Sequence, residues 1–278
     1  MYSTIMLLST ITTLLALLGG LLGGIYGVIA ALILSPVLSF ALYLKAESII
    51  LNIYRAEPSN DYKLLDMLKK LAREARIPVP RLYLVKTTHF MPNAFATGRD
   101  PEHSSIAVTG SLLSLNDDEI EAVLAHEVSH IRNHDTLVNM LAATIGFAIA
   151  YPAQLGYWYL FLEGGETRPG SQITGMILMA LFAPLAAFFV RMATSASREY
   201  RADYVAALLT KRPRSLARAL EKIHDAASQK PLRGPAATSH LWIASPFHRD
   251  WFNGLFSAHP HVRERMKSLL ELEGRGLE

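Results

Sequence analysis

Five residues, His126-Glu127-Val128-Ser129-His130, have the types and spacing needed to run a hydrolysis on a metal ion. On a helix, two histidines four apart project from one face, one turn above the other. Both imidazoles can then reach a single tetrahedral zinc, with Glu127 beside them to take a proton from zinc-bound water. A catalytic zinc also needs a third protein ligand and an open position. Candidates lie in Ser197-Arg198-Glu199-Tyr200-Arg201-Ala202-Asp203, where Glu199 and Asp203 are again four apart. One of these carboxylates can bind the metal while the other holds a ligand imidazole in orientation. If His134 or Asp203 supplied a fourth ligand instead, the site would be closed and the metal structural. The chain would then be a metal-stabilised membrane scaffold or transporter rather than an enzyme.

The elements that must position these residues are legible. Asn116 with Glu119 three residues on forms a capping-box pattern, and Asp117 and Asp118 suit the positive end of a helix. Ile120, Val123, Leu124, Val128 and Ile131 continue as an apolar stripe at helical spacing. Upstream, Asp61–Ala75 carries leucines at helical spacing and is stopped by Pro78 and Pro80. Short strands are expected at Leu82–Lys86, Ala94–Thr97 and Ile106–Thr109, so a small sheet leads into the metal helix. A helix is expected to carry Glu199 and Asp203 as far as Leu209, another to span Pro213–Ala227, and a last one to run from Pro260 to Leu272. Between them, Gln229–Phe256 reads as a loop packed over the active site.

Composition places this machinery beside a membrane. The 278 residues are 51% hydrophobic and only 18% charged, an excess concentrated in a few runs. Tyr2–Leu18 and Ile25–Leu44 are apolar, with a Gly-rich break at 19–24, and Leu137–Leu162 and Ile173–Val190 form a second pair. About 20 apolar residues span a bilayer, so four transmembrane helices are expected. Tyr157, Trp158, Tyr159 and Phe161 suit an interfacial belt, and basic residues crowd the segments after the second and fourth runs. That bias puts both termini and the polar mass in the cytoplasm of a multi-pass protein of the cell membrane. The absence of cysteine excludes disulfides and thiolate-bound zinc. A net charge of +3 without a basic, aromatic-interleaved stripe argues against nucleic acid. Ionisable residues are missing from the runs between Leu137 and Val190, which counts against transport.

The expected organisation is therefore a membrane hairpin (1–45), a first catalytic segment with the metal helix (46–136), a second hairpin (137–192) and a second catalytic segment (193–278). The fold class is mainly α, an integral membrane protein with an α+β, zincin-like cytoplasmic domain. Helical rise puts His130 roughly 10 Å below the third span and Glu199 roughly 14 Å below the fourth. The second hairpin would thus bring the ligands to similar depths.

The order HEVSHIRNHD, apolar hairpin, SREYRAD resembles the HtpX-type membrane zinc metalloproteases, relatives of the CAAX prenyl proteases. Pro92-Asn93-Ala94-Phe95-Ala96-Thr97-Gly98 is similar to that family's substrate-pairing edge strand, and His259-Pro260 with Arg265 to its late His-Pro and Arg pair. The resemblance implies one zinc per chain held by His126, His130 and Glu199, with Glu127 as general base and Asp203 orienting a ligand. It further implies that His259 and Arg265 contact substrate or steady the oxyanion, and that Asn93, Ala94, Phe95, Ala96 and Thr97 bind the substrate backbone. The implied activity is cleavage of membrane or misfolded proteins in quality control. Two departures stand out: Ala196, where the family often has Arg, and His134.

Overall fold

The computed structural model describes residues 2–86, 91–143, 195–229, 236–244 and 260–275, with isolated positions between 184 and 188. In chain order the elements are α1 (Tyr2–Ile53), β1 (Ala56–Pro58), α2 (Tyr62–Ala75), β2 (Arg81–Val85), β3 (Ala94–Asp100), β4 (His103–Thr109), α3 (Asp117–Arg132), α4 (Ala196–Thr210), α5 (Pro213–Gln229) and α6 (Val262–Arg275). Short 3-10 turns occupy Gly110–Ser114 and Ala236–Leu241.

The centre of the domain is α3. Its start is fixed by the capping box, in which the Glu119 carboxylate accepts from Asn116 N–H at 3.1 Å. Glu119 also receives Lys222 Nζ of α5 at 2.8 Å, tying the two helices. Every residue from Glu119 to Ile131 is buried, because α2, α4, α5 and the sheet close on the helix from different sides. A helix covered on all faces is a core element rather than a surface amphipath. Its apolar residues mesh with Leu64, Leu68 and Leu71 of α2, Leu216 and Leu220 of α5 and Leu269 of α6. Truncating one such leucine to alanine costs about 2–5 kcal/mol.

The sheet has the order β1-β2-β4-β3, with β2 and β4 parallel and both outer pairs antiparallel. Strand alternation sorts its side chains. Ala94, Ala96, Ile106 and Val108 join the core around α3. Phe95, Ala107 and Val85 point the other way, against Ala46 and Ile50 of α1, Met140 and Trp242. Between β3 and β4 the register shifts at Gly98 and Asp100. Gly98 has φ +136, and a Cβ there would lie 2.3 Å from the His103 carbonyl oxygen, so only glycine fits this bulge.

The structure adds an element to the sequence expectation. β1 is a three-residue strand containing Pro58, too short and too polar to show a period-two pattern. The last helix starts at Val262, two residues after Pro260.

The first hydrophobic segment forms one helical element, α1, with Gly24 at φ +57. A Cβ at Gly20 would sit 3.2 Å from Val28 Cγ2, whereas eight residues of straight helix span about 12 Å. The chain therefore doubles back near Gly24. Among the described residues no helix is long and apolar enough to cross a membrane. Of the second expected hairpin (137–192) only 137–143, which are helical, and a few isolated positions belong to the described residues.

Candidate active site

The site forms where α3 meets α4 beneath β3. His126 and His130 sit one turn apart on α3 with their Nε2 atoms 3.1 Å from each other and their rings nearly perpendicular. From α4, Glu199 brings Oε2 to 3.7 Å from His126 Nε2 and Oε1 to 3.5 Å from His130 Nε2. Bonds of 2.0–2.1 Å in a tetrahedron place neighbouring ligand atoms roughly 3.3 Å apart. The two Nε2 atoms are near that spacing, and a different oxygen of Glu199 approaches each of them, so the donor set can close on one metal ion. His126, His130 and Glu199 are the group among the described residues that could hold a metal.

Each imidazole is braced on its far nitrogen. His126 Nδ1 lies 3.0 Å from Asp203 Oδ1, and His130 Nδ1 lies 3.2 Å from Asp135 Oδ2. A carboxylate at Nδ1 favours the tautomer with its proton there and turns the Nε2 lone pair toward the metal position. Of the four-apart pair on α4, Glu199 is thus the one beside the two Nε2 atoms and Asp203 the one at an imidazole Nδ1. Neither possible fourth ligand closes the site: His134 is exposed, and Asp203 is engaged with His126 and Arg265.

Glu127 is 2% exposed. Burial, reinforced by Glu199, pushes its carboxyl up to about 7 against the opposing pull of His130. The Ala96 backbone of β3 opposes this rise. Burial also pulls His126 down to about 4. It acts in the same direction on His130, but the Asp135 hydrogen bond and the Glu199 and Glu127 charges outweigh it and lift that imidazole to about 9.

Arg265 stands against the His126 and Glu199 side chains. It is completely buried, and its guanidinium grips both oxygens of Asp203 at 2.8 and 2.7 Å. Its Nη1 donates to the Ile243 carbonyl at 2.8 Å and lies 3.2 Å from Glu199 Oε2. Burial raises the Asp203 pKa, yet the Arg265 charge prevails and holds the carboxyl below its usual range. Arg265 is therefore a pillar behind the ligands. His259, the other late residue, lies outside the described residues.

β3 is an edge strand, and Ala96 from it lines the small cavity that His126, Glu127, His130 and Glu199 open into. The chain itself covers part of that edge. Ile243 N–H donates to Ala94 O at 3.1 Å, and Asn93 Nδ2 donates to Ala244 O at 2.9 Å. Phe95 points to the opposite face, where its ring meets Trp242 and Tyr54 at centroid distances of 4.8 and 5.5 Å. Thr97 is fully buried.

Several lining residues carry no signal in the sequence. Thr136 and Asn139 come from the helix after α3, and His240, Leu241 and Trp242 from the segment laid over the cavity. His240, which composition alone marks as an ordinary histidine, bonds through Nε2 to Asn139 O at 3.0 Å. Asp135 was also hidden. Five residues beyond His130, it is off the helical face, and only the left-handed turn at His134 (φ +58) returns it.

The family model of peptidase family M48 matches residues 58–273. A "Protease HtpX homolog" of Thermococcus sibiricus is 42% identical over 245 residues, covering 85% of this chain and 83% of the relative. Its counterpart in Syntrophobacter fumaroxidans is 38% identical, covering 96% and 98%, and that in Persephonella marina is 40% identical, covering 98% and 97%. Among solved structures, Ste24p of S. mikatae superposes with a TM-score of 0.50 at 21% identity, over 93% of this chain and 61% of that one, a likeness of fold. Because the matched segment contains every residue of the site and reaches from β1 into α6, the chain belongs to peptidase family M48 and is a metalloprotease.

Proposed function

We propose that this metalloprotease is a zinc endopeptidase, with one zinc per chain held by His126, His130 and Glu199. The observation that carries this is the convergence of two imidazole Nε2 atoms, 3.1 Å apart, and the Glu199 carboxylate, whose two oxygens lie 3.5 and 3.7 Å from them, with Glu127 on the same helix beside them. Bound zinc supplies a Lewis acid for the scissile carbonyl and makes water acidic near neutrality. With the metal held there, Glu127 would take a proton from the attacking water and pass it to the departing amine. Its burial suits it to both steps, since a base poised near 7 ionises at neutral pH and still gives the proton up. Asp203, clamped by Arg265, holds His126 in orientation.

The substrate is an extended polypeptide that pairs with β3 along Asn93–Thr97, and His259 supports the developing oxyanion. For this, the Leu241–Ala244 segment must leave at least part of the β3 edge. The protein acts at the cytoplasmic face of the cell membrane, anchored by the hairpins 1–45 and 137–192, on membrane or misfolded proteins. Support for the membrane comes from the solvent-facing apolar side chains of α1, among them Ile25, Ile33, Val37 and Phe40, since a contiguous exposed patch of this kind needs a cover.

The test is metal content and casein cleavage in detergent-purified wild type and Glu127→Gln. The expected result is about one zinc per chain in both with cleavage by the wild type alone. Stoichiometric zinc without cleavage in the wild type would refute the catalytic role, and a wild type that binds no zinc would refute the metal.

A further inference from the structure

We infer that Asp135 is a positioning residue of the metal site, setting the tautomer and orientation of His130 while Arg198 and Arg201 of α4 hold its carboxylate in place. The inference rests on the metal reading above and extends it to a residue outside both ligand motifs. Asp135 is 3% exposed. One oxygen, Oδ2, lies 3.2 Å from His130 Nδ1. Arg201 Nη2 donates to both oxygens at 3.3 and 3.4 Å, and Arg198 Nε lies 3.5 Å from Oδ1. These two arginines flank Glu199 in the chain, so one carboxylate touches the second histidine and the backbone stretch that presents the third ligand.

The arrangement mirrors the other half of the site. His126 has Asp203 at Nδ1, and Asp203 is fixed by Arg265. His130 has Asp135 at Nδ1, and Asp135 is fixed by Arg201 and Arg198. In both cases an arginine-held carboxylate lies 3.0 to 3.2 Å from the far nitrogen and leaves Nε2 facing the ligand cluster. Asp135 reaches its place because His134 adopts the left-handed conformation just past the end of α3, and a new helix starts at 135. A histidine stripped of this acceptor can rotate or switch tautomer, which weakens its hold on a metal ion.

The experiment uses the full-length, detergent-solubilised protein after removal of metal. Zinc affinity is measured by chelator competition, and the visible absorption of the cobalt-loaded protein reports the ligand field. Asp135→Ala should bind zinc about 10–100-fold more weakly than wild type and show an altered cobalt spectrum. Asp135→Asn, which keeps an acceptor for His130 Nδ1–H, should recover most of the affinity and a wild-type-like spectrum. Asp135→Ala that folds and matches wild type in both readouts would overturn the inference. So would Asp135→Asn as weak as Asp135→Ala, because the effect would then reside in the arginine pairs alone. Should the alanine variant not fold, the asparagine variant decides. A wild type that itself takes up no zinc sinks the metal reading and this inference together, whereas a zinc-loaded wild type with an indifferent Asp135 sinks only the latter.

Discussion

Replacing Glu127 by glutamine should remove the activity and, in the metal-free protein, raise stability. Glu127 sits in the interior of α3, and its carboxyl is held at about 7 against an ordinary value of 4.5. A group whose folded-state pKa is raised binds its proton more tightly when folded. Its ionisation therefore opposes folding, with no penalty below 4.5, a growing one between 4.5 and about 7, and the full one above. At about 1.36 kcal/mol per pH unit, the gap corresponds to about 3 kcal/mol. Glutamine is close to isosteric and carries no charge. Metal-free Glu127→Gln should thus exceed wild type by about 3 kcal/mol near pH 8, the advantage fading toward zero at pH 4.5. Urea unfolding of chelator-treated protein, followed by tryptophan fluorescence across this range, measures the difference. Loading with zinc should shrink it, because a neighbouring cation favours the carboxylate. Equal or lower stability of the variant at pH 8, or a difference that does not change with pH, would refute the reasoning.

Three further outcomes are expected. Arg265→Ala leaves Asp203 ionised, buried and without its clamp, and should cost about 3–5 kcal/mol in the same unfolding assay; a loss below about 1 kcal/mol would mean the guanidinium is not the partner it looks like. Gly98→Ala drives a methyl into the His103 carbonyl at a positive φ and should destabilise by at least about 1–3 kcal/mol, read as a fall in melting temperature. Zinc uptake should release about one proton per metal near neutral pH, since His130 is lifted to about 9 and must give up its proton to bind; affinity should accordingly weaken about tenfold for each pH unit of acidification, as isothermal titration in buffers of different ionisation enthalpy would record.

What the sequence discloses about this molecule depends on whether the deciding interaction is local. The capping box at Asn116 and Glu119, the helical period of α3 and the four-residue spacings of His126/His130 and Glu199/Asp203 are local, and the structure shows the capped helix and brings these side chains together. The edge position of β3 is different, since it follows from strand order, and strand order depends on a parallel β2–β4 pairing that no short-range pattern encodes. Arg265 illustrates the limit of resemblance. A motif fixes which residue is present, but only the packing of α6 against α4 shows that its guanidinium grips Asp203 and stands beside Glu199. Asp135 and His240 were unreadable for a related reason. The first depends on a single left-handed residue, and the second on a segment more than a hundred positions away from the main chain it bonds to.

The enclosure of α3 also governs how the site can come apart. A surface helix frays, and ligands on a fraying turn would exchange their metal each time it opened. Here the amides from Glu119 to Ile131 can reach solvent only when α2, α4, α5 and the sheet separate, which amounts to unfolding the domain. These amides should be among the slowest to exchange with deuterium, and a metal seated on His126 and His130 should leave through the cavity mouth far faster than by helix opening. Loss of the metal and loss of the fold then become separate events on separate clocks, and the stripped protein would keep its shape long enough to be reloaded.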